Sequence, residues 1–163
     1  MAQAQAPHLR GVLHLFTVPI AVIGGLALVL AAGTASIRWA VAIFVVTSVA
    51  LFTTSAVYHM GWWLPRTKAA LRRADHSNIF LIIAGTYTPL ALMLLPPDDA
   101  RTLLIVVWSG AAAGVLIRNF WLTAPRWVYV PIYVSLGWAA VSHSPELASA
   151  GSLSLTLIVA GGL

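Results

Sequence analysis

The chain contains no cysteine and very little charge, and these two shortages remove most function classes before any motif is read. Without cysteine there is no disulfide framework and no thiolate metal centre, so a metal would have to rest on histidine and carboxylate ligands. Charged residues make up 8% of the 163 residues, where a soluble domain carries roughly 25%. A water-soluble fold of this size has to cover its surface with charge that this chain does not have. Acids are scarcest of all: Asp75, Asp98, Asp99 and Glu146 are the full set. The nine Lys and Arg residues give a formal charge of +5 and a pI near 10.5, but they are scattered in short loops. Nucleic-acid binding needs a clustered basic face and is excluded as a reading.

What the chain has in quantity is apolar sequence: 60% hydrophobic residues and a mean hydropathy of +0.92. No Asp, Glu, Lys or Arg occurs in 11–37, 39–65, 76–97, 102–117, 127–145 or 147–163. About 20 residues at 1.5 Å each cross a hydrocarbon core of about 30 Å. The first five stretches are therefore expected to be complete crossings. The fourth is short, and Arg118 snorkelling with Asn119, Phe120 and Trp121 extends it. The sixth, from about Ser152, is expected to run off the end at Leu163, so the chain reads as a fragment that stops inside a helix. The first stretch is too long for a signal-peptide core and is followed by further spans, so it reads as a transmembrane helix. The expected fold class is an all-α integral membrane protein, a multi-spanning helical bundle with six spans present, in one domain over 1–163. With five crossings, the N-terminus and the second and fourth loops hold Arg10, Arg66, Lys68, Arg72, Arg73, Arg118 and Arg126, seven cations against Arg38 and Arg101 opposite. That bias predicts a cytoplasmic N-terminus in a multi-pass plasma (inner) membrane protein. Trp62, Trp63, Trp121 and Trp127 fall at span ends, as an aromatic belt requires.

Chemistry-bearing residues concentrate in 55–89. Ser55 and His59 are four apart and share one helical face at the end of the second span. Pro65 marks where that helix has already stopped. Asp75 follows the basic second loop and is expected to begin the third span, capping free backbone N–H groups. A short loop joins the two spans, so His59 and Asp75 are expected at the same membrane depth, where a histidine and an aspartate can hold a divalent metal and its water. Three plainer readings compete with this one. In them His59 is bonded to a neighbouring helix, Asp75 is a cap beside Arg72 and Arg73, and Ser55 bonds back to its own helix carbonyl. His14 is a weaker site candidate than these, and His76 weaker still. His8 reads as a tail residue and His143 as an outer-interface residue. Tyr87, Thr88 and Pro89 are expected to shape helix three, and the run from Gly110 to Gly114 to pack helices closely.

The pair Ser55-x-x-x-His59, the block from Leu71 through Asp75 to Ser77, and Ala84-Gly85-Thr86-Tyr87-Thr88-Pro89 resemble the signature blocks of the hemolysin III / progestin-and-adipoQ-receptor (PAQR) family. Arg10-Gly11-Val12-Leu13-His14 is similar to the family's opening. The resemblance implies seven helices with a cytoplasmic N-terminus, and likeness to alkaline-ceramidase-like membrane hydrolases. It further implies zinc held by His59, with two further histidine ligands on a seventh helix beyond Leu163, Asp75 positioning the zinc-bound water, and Ser55 as a polar partner. By this resemblance the chain is expected to contact membrane lipids and to act as a zinc-dependent hydrolase on a lipid-like amide, or on membrane-lipid state. The alternatives are a hemolysin-like cytolytic or channel-forming protein, and a receptor-like protein with structural zinc.

Overall fold

The computed structural model describes residues 8–120 together with 130–132, 134, 135 and 138. Four long helices account for nearly all of the described chain: α1 (His8–Ala31), α2 (Ala35–Met60), α3 (Pro65–Leu94) and α4 (Pro97–Phe120). At 1.5 Å per residue they run about 36 to 45 Å, each longer than a hydrocarbon core of about 30 Å. All four are long and apolar enough to cross a membrane. Their outer faces are apolar too: Leu9, Phe16, Ile20, Ile23 and Leu30 of α1 all stand largely exposed. A contiguous apolar surface of that extent belongs against lipid rather than water. The architecture is that of an all-α membrane protein. The predicted fifth and sixth spans, with Trp121, Arg126, Trp127, His143 and Glu146, lie outside the described residues, apart from a few helical positions between 130 and 138.

Short connections make consecutive helices antiparallel neighbours: α1 packs on α2, α2 on α3 and α3 on α4. Thr34 caps α2, its hydroxyl accepting from the Ile37 amide at 3.3 Å, and Arg38 reaches back to the Ala32 carbonyl. At the other end of α2 the indole Nε1 of Trp63 donates to the Val57 carbonyl at 2.9 Å. The ring folds so closely over Gly61 that no side chain fits there. Asp98 and Asp99 in the first turn of α4 oppose its dipole.

Apolar helices gain little by leaving lipid for one another, so close packing carries the assembly. Each neighbouring pair has a glycine under a larger side chain: Gly25 under Val45, Gly85 under Thr47 and Gly114 under Phe80. Phe80 and Val107, both with no exposed surface, centre the core between α3 and α4. The Gly110–Gly114 expectation is met at Gly114. Helix α3 runs unbroken through Pro89, and Thr88 beside it links the pair: its hydroxyl donates to the Ala84 carbonyl at 2.8 Å and accepts from the Trp108 indole at 3.1 Å.

Two boundaries differ from the sequence expectation. Helix α3 begins at Pro65, not at Asp75, so ten residues precede Asp75 in the helix and it cannot cap the N-terminus. Proline is favoured at the first helical position, and Ala69, Ala70, Leu71, Arg72, Arg73 and Ala74 are good helix formers that hold the helix beyond the membrane. Arg66, Lys68, Arg72 and Arg73 therefore ride on a helix rather than in a loop. Helix α4 extends past 102–117 at both ends, which removes the shortfall in the fourth span.

Candidate metal site at the basic end of the bundle

The start of α1, the end of α2, the start of α3 and the end of α4 meet at one end of the bundle, which carries Arg10, Arg66, Lys68, Arg72, Arg73 and Arg118. Packing contacts set the register there. A side chain on Gly11 would strike Met60 and the His59 Cβ, and the rings of His14 and Phe52 meet edge to face at 5.5 Å, so His14 stands level with the Ser55–Ala56 turn of α2. On the other side, Asn78 Nδ2 donates to the Ala50 carbonyl at 3.1 Å and to the Thr54 hydroxyl at 3.0 Å, while Thr47 covers Gly85. In that antiparallel register Asp75 faces the turn that carries Ser55. His59 sits one turn further out.

The predicted residues therefore come together. His59 lies within electrostatic reach of Asp75, His14, His76 and Arg10. Ser55 is 3% exposed and, unlike Thr47, Ser48, Thr86 and Thr88, does not bond back to its own helix. The Asp75 side chain is 14% exposed, and its one ion pair among the described residues is a loose one, 4.0 Å to Nδ1 of His76. That nitrogen is already committed at 2.7 Å to the Arg72 carbonyl, so it carries the proton there. Arg73 turns instead to the Ala69 carbonyl at 3.3 Å. The reading of Asp75 as a helix cap beside Arg72 and Arg73 fails on both counts. His14 adds a buried Nδ1 with no hydrogen-bond partner among the described residues.

The donor set is partial. Among the described residues no three His, Cys, Asp or Glu side chains gather closely enough to hold a metal ion. His59, Asp75 and Ser55 stand at the same end of the bundle, with His14 on the α1 side.

Sequence reasoning passed over the polar groups that assemble this end. Asn78 ties α3 to α2, and Asn119 Nδ2 donates to the Ser77 hydroxyl at 3.1 Å and ties α4 to α3. The available signal was two carboxamides in apolar spans, since amide side chains there bond across helices.

A family model described as "Haemolysin-III related" matches residues 2–163. Among curated relatives, the Hemolysin-3 homolog of Bacillus subtilis (strain 168) is 33% identical over 122 residues, covering 74% of this chain and 57% of that protein. Hemolysin-3 of Bacillus cereus is 30% identical over 132 residues, covering 80% of this chain and 60% of that protein. The chain thus spans less than two thirds of the length of these relatives. No solved structure matches it.

Proposed function

The chain belongs to the haemolysin-III related family, and from that premise we propose that it is a zinc-dependent hydrolase of a membrane-lipid amide. In this reading it is a multi-pass plasma-membrane protein with a cytoplasmic N-terminus, six crossings within the 163 residues, and its site near the cytoplasmic face. One observation carries the proposal: Asp75 of α3 faces the α2 turn that carries Ser55, and His59 stands one turn further out at the same end of an otherwise apolar bundle. An ionisable pair held within spans is costly, and function is its default explanation.

The residues suit a hydrated cation. The Nδ1 of His14 is buried without a partner among the described residues, and the Asp75 carboxylate has only a loose one. A catalytic zinc takes three protein ligands, so the remaining ligands would come from outside the described residues. Zinc there would supply a water acidified toward neutrality and a Lewis acid for the amide carbonyl. His59 would contribute a ring nitrogen to the cation. Asp75 accepts the proton of the attacking water on a carboxylate oxygen and delivers it to the leaving nitrogen. Ser55, on the α2 turn level with Asp75, would help to orient this carboxylate and its water. The exposed apolar faces of α1 and α2 let a lipid approach sideways.

Zinc per chain in the purified full-length protein, wild type against His59→Ala, tests the ligand assignment. Equal zinc in both ends it. Asp75→Asn is expected to keep zinc while losing hydrolysis of a lipid amide.

The name of the relatives points to lysis through a pore. Against it, His14, His59, Asp75, Asn78 and Asn119 gather at one end, while Thr47, Ser48, Thr86 and Thr88 further along satisfy their own helix carbonyls. No polar stripe crosses the bundle among these residues. Liposome leakage that persists undiminished in His59→Ala would favour the pore.

A further inference from the structure

Helix α3 is longer than a membrane needs. Its 30 residues span about 45 Å, and the 20 from Asp75 to Leu94 already cover about 30 Å. The preceding ten, 65–74, form a helical arm that projects about 15 Å beyond the apolar span. The arm carries Arg66, Lys68, Arg72 and Arg73 and no acid. Every residue from 61 to 70 is exposed, and so is Arg72.

Among the described residues no carboxylate pairs with this arm. Asp75 at its base has only the loose 4.0 Å contact with His76, and Asp98 and Asp99 begin α4 at the opposite end of the bundle. The one remaining acid, Glu146, cannot balance four cations wherever it lies. The arm thus presents four cations without a carboxylate partner among the described residues, a surface complementary to an anionic one. At the outer end of the arm, where it joins α2, Trp62 is 89% exposed and Leu64 77% exposed, while Trp63 is pinned to α2 by its bond to Val57. An exposed indole favours the interface between lipid and water. Arg72 and Arg73 sit within one helical turn of Asp75, and Lys68 about 10 Å out can reach back along its own stem.

We infer that the 65–74 arm, with Trp62 and Leu64, is a binding surface for the phosphate headgroups of anionic phospholipids in the leaflet at the basic end. Phosphate supplies the missing countercharge through charge-assisted hydrogen bonds to the guanidinium groups. The inference uses neither the metal nor the hydrolytic reading of the site and stands if both fail.

Each basic residue near an anionic surface contributes about fivefold in affinity, so four give several hundredfold before screening and at least tenfold with it. The test is binding of fluorescently labelled phosphatidylglycerol to the purified full chain in nonionic detergent, with labelled phosphatidylcholine as comparison. The wild type is expected to prefer phosphatidylglycerol by at least about tenfold. The variant R66Q/K68Q/R72Q/R73Q should lose that preference, R66K/R72K/R73K should keep most of it, and R38Q/R101Q at the opposite end should keep all of it. A wild type without preference, or a quadruple variant that retains it, overturns the proposal. Full displacement of the labelled lipid by soluble glycerol phosphate at matched concentration also overturns it, because the site would then be one for free phosphate. Should the quadruple variant fail to fold, salt decides on the wild type alone: a preference unchanged between about 50 and 500 mM salt refutes an electrostatic headgroup site.

Discussion

Replacing Asn78 by leucine removes the one described side chain that bonds α3 to α2 twice, to the Ala50 carbonyl and the Thr54 hydroxyl. In a soluble core, two lost bonds to buried partners would cost several kcal/mol. In a membrane helix the cost is smaller. The Ala50 carbonyl keeps its own helical bond, the Thr54 hydroxyl can turn back to its helix, and leucine is at home among apolar side chains. Cross-helix hydrogen bonds in membrane proteins average about 0.6 kcal/mol, so two predict a loss of about 1.2 kcal/mol. Unfolding by an ionic detergent from mixed micelles would read this as a lowered midpoint. A cycle of Asn78→Leu with Thr54→Val should return a coupling near 0.6 kcal/mol. If the pair also holds His59 near Asp75, zinc affinity should fall by up to about sevenfold, the equivalent of the same free energy. A coupling indistinguishable from zero, or a loss above about 4 kcal/mol, would show that this bridge does not set the α2–α3 register in the way argued.

Gly114→Leu drives a side chain into the buried ring of Phe80 and is expected to cost about 1–3 kcal/mol by the same unfolding measurement. Phe80→Ala in that background should recover part of the loss, and no recovery would place the conflict elsewhere. Asp75→Ala should leave helix content by circular dichroism unchanged and avoid the loss of about 1 kcal/mol that follows removal of an N-cap, because ten residues of α3 precede it. A clear drop in helicity would return Asp75 to a capping role.

How far the site was legible in sequence differs from residue to residue. Ser55 and His59 could be placed together on one face because helical spacing is local. That Asp75 belonged beside them followed from a short connection between two spans. Its depth within α3 did not follow, because Arg66 through Ala74 look equally suited to a basic loop and to an exposed helix. Pro65 reads as a point by which α2 has stopped, and α2 does end at Met60; that Pro65 also begins α3 was not read from the sequence. The pinning roles of Asn78, Ser77 and Asn119 were invisible, since each depends on which face of its helix meets a neighbour 24 to 42 residues away.

From the residues alone came the solvent, the helical class and the lengths that span it. Apolar runs, charge counts and rise per residue are properties of one chain read in one dimension. Which side chains meet was decided in three dimensions, by Gly25 under Val45, Gly85 under Thr47 and Gly114 under Phe80, which fix how far each helix slides and turns against the next. A slide of one turn moves a side chain about 5 Å along the axis. That distance separates a histidine near an aspartate from one that looks into lipid.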